Sequence, residues 1–406
     1  MLTLVQKINI SKYSIKYKEL YKECDHLCFL SKNLYNSTLY KVKQEYFKTN
    51  NYLNYYDINK IFTHSNQRDY RKLPAKVSKH TQMLVHQSFK SFFKLLKTKG
   101  IKHPRPPMYL DSIKGRQIVH YEKGACSFKQ PGFIHLSKTN IFIPCQLKKE
   151  DVSFVRLVPK NNLITIEIGY RKKKQPKKKT GNIASIDLGL NNLITLTSNH
   201  LEPLIINGKP LKSINHHYNK QLSKEKSLLE IRHHKKNSKK INQLTQKRYY
   251  KCLDYLHKST HYIMTYLVSG DIDTLIVGYN KGWKQNINMG KVNNQTFVSI
   301  PFYQLVQQLL YKCELLGIKC ILQEESYTSK CSFLDNEDIK KQVSYLGKRI
   351  KRGLFQSSTG ELINSDINGS LNIMKKYLIK QKEWNNDIYD ELLLFNHHKP
   401  IKRIHM

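Results

Sequence analysis

The chain has 406 residues, 39% of them hydrophobic, which is enough to form buried cores in two or three domains. Seventy Lys and Arg residues against thirty Asp and Glu residues give a formal net charge of +40, which argues against a small-metabolite enzyme and favours nucleic acid as the partner. The sequence has no apolar run long enough for a signal peptide or a membrane span, and its eight cysteines lack paired-ligand spacing. We therefore expect a cytoplasmic protein without a membrane partner, associated with the nucleoid if the source is a bacterium.

The sequence pattern of the first half of the chain changes from helical to β-rich. Residues 2–8 alternate like a strand, and about 15–100 have helical periodicity, as in HTQMLVHQSFKSFFKLLK, which Gly100 ends. The prolines of KHPRPPMYL end this basic helical module, and the short β-rich segments that follow predict a small antiparallel barrel, which the first strand is a candidate to complete. The segment RKKKQPKKKTG at 171–181 is interpreted as a solvated connector, with binding of backbone phosphate as the alternative.

The second half has a mixed pattern. NIASIDLG, NLITLTS and LEPLIING predict three strands, about 211–268 predicts one long polar helical stretch, and DTLIVGYN predicts a buried strand. Ser299 is predicted to cap a helix that Pro301 opens, KCILQEE begins the next strand, and INSDINGSLNI leads into the last helix. A strand, helix, strand succession predicts a parallel crossover. The whole order is that of the ribonuclease H and RuvC fold, an α/β class.

Acidic residues follow the strands of this predicted sheet. Asp187 ends the first strand beside a glycine, Glu324 and Glu325 follow a later strand, and Asp366 precedes the last helix. Taken alone, an Asp before Gly is an ordinary turn and NSD before a helix is an ordinary N-cap. Together and in this order, the acids predict a site for two Mg²⁺ or Mn²⁺ ions that hydrolyses a nucleic-acid strand.

Five segments resemble a known family: DLGLNNLITL, GYNKGWKQNINMG, QTFVSIPFYQLVQQL, ESYTSK and INSDINGSLNI. The chain is similar over about residues 100–376 to the TnpB or OrfB family of insertion sequences, compact RNA-guided nucleases related to type V CRISPR effectors and to Fanzor proteins. The resemblance implies a guide RNA derived from the transposon end, double-stranded target DNA with a short flanking motif, and Mg²⁺-dependent cleavage at one RuvC site. It also implies these parts: a first wedge strand at 1–14, a helical recognition domain at 15–104, a β-barrel wedge domain with a basic linker at 105–180, a RuvC domain at 181–376 and a C-terminal tail at 377–406 without assigned function.

The catalytic acids of the family carry over onto Asp187 and Asp366, whereas the middle glutamate departs from the common pattern. Most relatives place it at the end of the strand before GYN, where this chain has Gly278. Some members use a glutamate about one strand later, so we expect Glu325 to be the third ligand, with Glu324 as the reserve. Period-two alternation sends these two side chains to opposite faces, and only one of them can reach a shared metal site.

Two further features are judged against the family pattern. Relatives with a zinc ribbon carry two CxxC pairs after the YTS segment, whereas this chain has only Cys331 before Asp366, so we expect no zinc and a degenerate ribbon at 335–353. Nucleic-acid contacts are predicted for Lys348, Arg349 and Arg352 in this segment, with a solvated basic loop as an equal interpretation, and for Trp283 and Lys284, with a core tryptophan as the alternative.

Two other functions remain open at this point. The first is a nuclease-inactive RNA-guided DNA-binding repressor, which Gly278 favours if neither glutamate takes over the missing role. The second is a DNA transposase, although the sequence offers no nucleophile in a suitable motif.

Overall fold

The structure is a computed structural model that describes residues 1–101, 103–160, 163–233, 237–280, 282 and 290–406, without the side chains of 233, 291–293 and 296. The chain divides into two compact units, residues 1–173 and 174–406. Among the helices of these described ranges, none combines the length and apolarity that a membrane crossing requires.

The first unit joins a helical module to antiparallel strands. Its elements are β1 (Leu2–Ser11), α1 (Lys18–Thr49), α2 (Tyr55–His64), α3 (Arg68–Arg71), α4 (Ala75–Leu96), β2 (Val119–Glu122), β3 (Cys126–Ser127), β4 (Phe133–Leu136), β5 (Phe142–Pro144), β6 (Val152–Lys160) and β7 (Leu163–Lys172). The first strand pairs with β7 along its whole length, in a sheet ordered β1-β7-β6-β2, and β3, β4 and β5 form a second sheet. The described strands therefore form two open sheets where the sequence predicted one small barrel.

The second unit is a mixed α/β fold around one sheet. Its elements are β8 (Ile183–Asp187), β9 (Asn192–Ser198), β10 (Leu204–Asn207), α5 (Lys209–His233), α6 (Lys239–Ser269), β11 (Thr274–Gly278), α7 (Lys291–Ser299), α8 (Phe302–Leu315), β12 (Lys319–Gln323), β13 (Lys348–Lys351), β14 (Leu354–Gln356), β15 (Leu362–Asn364), α9 (Ser365–Gln381), α10 (Asn386–Asn396) and β16 (Lys402–Ile404). The sheet order is β12-β11-β8-β9-β10-β16. Strand β11 is parallel to both β8 and β12, and β9 is antiparallel to both its neighbours, so the predicted parallel crossover is present.

Three details of this unit differ from the sequence predictions. The long polar stretch is two helices, α5 and α6, rather than one. Ser299 is the last residue of α7, and α8 begins after Pro301 without a side-chain cap, so the predicted capping role of Ser299 is wrong. The C-terminal residues are part of the fold, because β16 pairs in parallel with β10 and becomes the sixth strand of the sheet.

Helix α9 is fixed to the sheet by buried hydroxyl groups. The Oγ atoms of Ser185 on β8 and Ser370 on α9 lie 3.0 Å apart, and each lies 2.8 Å from Oγ1 of Thr197 on β9. All three side chains are buried, so the hydroxyl groups satisfy one another away from water. Because this network joins the helix to two central strands, it sets the position of the first turn of α9 relative to the end of β8.

Residues 326–364, which include the segment 335–353 predicted to be a degenerate ribbon, are held by side chains of α9. Lys375 is buried and its Nζ donates to Oδ1 of Asn336 at 2.5 Å and to the carbonyl of Glu337 at 2.9 Å. Burial lowers the pKa of this ammonium to about 8. The buried Glu337 carboxylate accepts the backbone N–H groups of Ser332 and Leu346 at 2.7 and 3.1 Å. A closed polar network therefore organises the segment.

Replacing Lys375 with methionine should destabilise this unit, because Asn336 and the Glu337 carbonyl then lose a buried donor. The loss of one buried and one partly buried hydrogen bond predicts a decrease of about 2 kcal/mol in the free energy of unfolding. Urea unfolding followed by circular dichroism measures the change, with Lys380→Met on the exposed face of the same helix as the matched control. Equal unfolding midpoints for the two variants would show that the network does not support the fold.

Candidate active site

The carboxyl ends of three parallel strands meet at one edge of the sheet of the second unit. Asp187 is the last residue of β8, and Gly278 is the last residue of the neighbouring β11. On β12, Gln323 pairs with Gly278, and Glu325 follows two residues later. Because parallel strands end at the same edge, these positions lie side by side. The first turn of α9 brings Asp366 to the same edge.

Glycines allow a close approach to the Asp187 carboxylate. A Cβ atom at Gly369 on α9 would lie 3.0 Å from Oδ2 of Asp187, so the absent side chain lets the helix pack against the acid. A Cβ atom at Gly189 would lie 2.5 Å from the carbonyl oxygen of Asn192, so this second glycine permits the β8 to β9 turn that follows Asp187.

Asp366 does not cap its own helix. Oδ1 of Asn364 accepts the backbone N–H groups of Asp366 and Ile367 at 3.0 and 3.3 Å, which leaves the Asp366 carboxylate free for other contacts. Nδ2 of Asn192 donates to Oδ2 of Asp366 at 2.6 Å. Nη2 of Arg349, on β13, lies 3.5 Å from the other carboxylate oxygen and donates to Oγ of Ser365 at 2.9 Å. The side chain is thus turned toward β9 and the end of the sheet.

The two candidate glutamates have different surroundings. Oε2 of Glu325 lies 2.8 Å from the position that a Cβ atom on Gly278 would take, so this carboxylate fills the space beside the glycine. Asn280 fixes it from both sides: Nδ2 of Asn280 donates to Oε1 of Glu325 at 3.3 Å, and the Glu325 backbone N–H donates to Oδ1 of Asn280 at 3.2 Å. Glu324 is exposed and forms an ion pair with Lys376 at 2.5 Å. The geometry therefore brings Glu325, and not Glu324, to the strand ends.

The carboxylates of this edge influence one another. Burial, followed by the negative charges of Asp366 and Glu325, raises the pKa of Asp187 to about 8. Burial and the charge of Glu324 raise the pKa of Glu325 to about 7, against the opposing charge of Lys376. Raised acidic pKa values in a group of neighbouring carboxyls are typical of functional sites. They also show that negative charge is concentrated here in a chain that is otherwise strongly basic.

The donor set fits a hard divalent cation. In the ranges that the structure describes, no three His, Cys, Asp or Glu side chains are arranged as a ready ligand group. Two of the acids are held by neighbouring amides, Asp366 by Asn192 and Glu325 by Asn280. Carboxylate oxygens are nevertheless the ligands that Mg²⁺ and Mn²⁺ prefer, and a cation would relieve the repulsion that raises the Asp187 pKa.

The raised pKa values predict how the stability of the metal-free protein depends on pH. The pKa values of about 8 for Asp187 and about 7 for Glu325 exceed the ordinary values of 3.8 and 4.5, so the folded state keeps protons that the unfolded state releases. The stability associated with these protons is complete below the ordinary values and is lost as pH rises through 7 and 8. The melting temperature measured in EDTA should therefore fall as pH rises from about 4 to about 8, and Asp187→Asn should reduce the fall.

Added Mg²⁺ provides the second arm of this experiment. It should restore much of the lost melting temperature in the wild type at high pH, because binding to the folded state alone stabilises it. The same addition should have a smaller effect on Asp187→Asn. Identical pH profiles for the two proteins, with and without Mg²⁺, would show that the acids do not form one electrostatic group.

The residues predicted to contact nucleic acid differ in their position relative to the three acids. Arg349 lies at the acids, whereas Lys348 and Arg352 are exposed and make no contact with the three acids in the described residues. Trp283 and Lys284 lie outside the described residues. Sequence reasoning missed Asn192 and Asn280, although both stand inside the motifs DLGLNNLITL and GYN.

The fold and this site define a mixed α/β protein with a cluster of acidic side chains at the edge of the sheet where its parallel strands end. A family model described as OrfB_IS605, probable transposase, matches residues 159–284. A second model, the Cas12f1-like TNB domain, matches residues 302–373. A TnpB-like protein, ORF457 of Acidianus two-tailed virus, is 26% identical over 224 residues, which are 51% of this chain and 45% of that protein. The chain thus aligns with less than half the length of this relative.

These matches confirm the resemblance to the TnpB/OrfB family. Solved structures give weaker likenesses. A Cas12f1–sgRNA–target DNA complex aligns with a TM-score of 0.37 and 15% identity, covering 91% of this chain and 98% of that one. C2c1 of Alicyclobacillus acidoterrestris in complex with single-guide RNA aligns with a TM-score of 0.42 and 9% identity, covering 92% and 68% of the two chains. TM-scores of this size do not establish a shared fold.

Proposed function

We propose that the protein is an RNA-guided DNA endonuclease of a transposable element, with one RuvC-type catalytic centre formed by Asp187, Glu325 and Asp366. The observation that carries this proposal is the placement of Glu325, whose carboxylate fills the space beside Gly278 at the strand end. This placement completes a set of three acids from three separate elements at one sheet edge, within a chain of net charge +40.

The three acids would hold Mg²⁺ or Mn²⁺ at the sheet edge. Bound ions of this kind would activate water and neutralise charge on the phosphodiester. Asp187 is the least mobile acid, because it ends a central strand and packs against Gly369. Asn192 and Asn280 orient Asp366 and Glu325, and Lys376 keeps Glu324 paired and away from the centre.

Arg349 is positioned to contact the substrate strand. Its side chain is 54% exposed, and its guanidinium reaches the Asp366 carboxylate from the solvent side. A guanidinium beside a metal-ligand acid is suited to bind a phosphate oxygen of a strand that enters the site. Lys348 and Arg352 on the same exposed segment would add backbone contacts along the strand.

Residues 1–173 would supply guide and target binding. Under this proposal the helices α1 to α4 act as a recognition domain and the antiparallel sheets act as the wedge, with the guide RNA pairing to one target strand while the protein reads a short flanking motif. The basic charge of the chain supports such a partner.

Two rival functions are addressed by the same observations. A nuclease-inactive repressor would need no third acid, whereas Glu325 occupies the place next to Gly278 and is oriented by Asn280. A DNA transposase agrees with the description of the OrfB_IS605 family as a probable transposase but has no nucleophile motif in the sequence.

Sequencing of the RNA that co-purifies with the protein tests the guide component. The proposal predicts one discrete RNA that maps beside the gene, at the end of the element. RNA with the same profile as total cellular RNA would contradict an RNA-guided function and would favour the transposase.

A further inference from the structure

The basic connector between the β-rich segments and the α/β sheet is held in place on the second unit. The backbone N–H groups of Gln175 and Lys178 donate to the carbonyls of Leu315 and Gly317 at 2.9 and 3.3 Å. Gly317 has a positive φ of 72°, and a Cβ atom there would overlap the carbonyl oxygen of Pro176, so this position requires glycine. The connector is therefore an ordered part of the surface and not a loose tether.

The end of the connector is fixed by acids of the sheet. Oδ2 of Asp273 accepts the backbone N–H groups of Thr180 and Gly181, both at 2.8 Å. Lys178 forms an ion pair with Asp271 at 2.5 Å. Lys174 is likewise paired with Glu314. The negative charges near the connector thus hold its backbone and two of its lysines, which leaves Lys177 and Lys179 without an acidic partner in the described residues.

A cavity of about 450 Å³ lies between the connector and the sheet, and its charged lining is mostly lysine. It is lined by Lys177, Lys178, Lys179 and Lys319, with Asp273 as the one carboxylate. Lys177, Lys179 and Lys319 are exposed, and none of them has an acidic partner in the described residues. Ammonium groups clustered around a cavity that is open to solvent favour the binding of anions.

This cavity is at the opposite end of the sheet from the acids. Lys319 and Thr274 begin the parallel strands β12 and β11, and they pair with each other in the register of the sheet. The acids lie beyond the carboxyl ends of the same strands, about 13 Å away along the strand direction. A ligand bound here would not enter the catalytic centre.

We propose that the lysine-lined cavity is a second, non-catalytic nucleic-acid site that binds consecutive phosphates of a sugar–phosphate backbone. An ordered row of lysines suits a polyanion better than a single phosphate, because Lys177, Lys179 and Lys319 approach from two walls of the cavity. Preorganisation of the connector reduces the entropy lost on binding. The proposal rests on the proposed function only in taking nucleic acid as the polyanion.

The test measures the binding of two labelled probes of equal length, a single-stranded RNA and a double-stranded DNA, across a salt series. It uses the full-length protein, washed free of co-purified nucleic acid, in EDTA so that no cleavage occurs. Lys177→Ala/Lys179→Ala is compared with Lys380→Ala/Lys399→Ala, which removes the same charge from exposed lysines elsewhere in the unit. Lys319→Ala tests the second wall of the cavity separately.

The loss of two phosphate contacts should reduce the slope of log affinity against log salt by about 1.4 for the RNA or by about 1.8 for the duplex. Lys319→Ala should reduce this slope by the amount that corresponds to about one phosphate contact. The probe whose slope changes identifies the occupant as RNA or DNA. Equal slopes for the two double variants with both probes, or an unchanged slope for Lys319→Ala, would overturn the site. Because this assay needs no cleavage, its failure would leave the proposed function untouched.

Discussion

Asp187→Asn and Asp366→Asn should each lower the rate of DNA cleavage by about a thousandfold or more, because the loss of one metal ligand removes several kcal/mol of transition-state stabilisation. Asparagine keeps the shape of both side chains and removes only the charge. Asp187 is expected to be the more severe position, since it ends the central strand and is the acid whose pKa the other two raise. Single-turnover cleavage of a labelled DNA duplex measures the effect.

The control for this prediction keeps the fold and the nucleic-acid contacts. Asp254→Asn removes an exposed carboxylate of α6 whose ion-pair partner among the described residues is Lys258, so its cleavage rate should equal that of the wild type. Both variants at the acids should retain RNA and DNA affinity, because the positively charged surface is unchanged. Wild-type cleavage by Asp187→Asn and by Asp366→Asn would remove the basis for a carboxylate metal centre.

The second large effect concerns which of the two positions, 278 or 325, supplies the third acid of the site. Glu325→Gln should abolish cleavage, whereas Glu324→Gln should have little effect, because Glu324 is exposed and paired with Lys376. Gly278→Glu alone should also inactivate the protein, since its Cβ atom would lie 2.8 Å from Oε2 of Glu325 and 2.5 Å from Cδ1 of Ile373. The new side chain would displace the working carboxylate.

The double variant Gly278→Glu/Glu325→Ala tests whether a glutamate at position 278 can replace Glu325, or whether substitution at position 278 only disrupts the site. Truncation at residue 325 frees the space beside the strand end, and the tip of Ile373 is flexible enough to move, so the new glutamate can approach Asp187 from the adjacent strand. Cleavage by the double variant should recover to well above that of Glu325→Ala. A double variant that folds, binds RNA and cleaves no faster than Glu325→Ala would show that the two positions do not serve the same site.

Much of the second unit was predictable from local sequence pattern. The strands β8, β9, β11 and β12 are short apolar runs bounded by turns, and α8 has one apolar stripe, so their types and their order could be inferred. Asp187 and Asp366 were predicted from that order together with the family resemblance. The resemblance narrowed the middle acid to Glu324 and Glu325 and favoured Glu325, and the alternation of a strand lets only one of the two face the site.

The remaining features depend on contacts between residues distant in sequence. Asn192 meets Asp366 across 174 positions of the chain, and no local pattern marks such a pair. The strand β16 is three residues long and joins the sheet only by pairing with β10, so its sequence carries no strand signal of its own. Ser299 was assigned as a cap because a Ser before a Pro is common at helix starts, but here the preceding helix α7 extends through it.

The central claim is that a guide RNA selects the DNA that the Asp187, Glu325 and Asp366 centre cuts. The most direct test is plasmid cleavage in Mg²⁺ by the full-length protein assembled with an RNA whose guide portion is changed, while the rest of the RNA and the flanking DNA motif are kept. The account predicts that the cut moves to the newly matched sequence and that Glu325→Gln, assembled with the same RNA, binds this sequence without cutting it. A cut that stays in place when the guide changes, or one that persists in Glu325→Gln, would contradict the account.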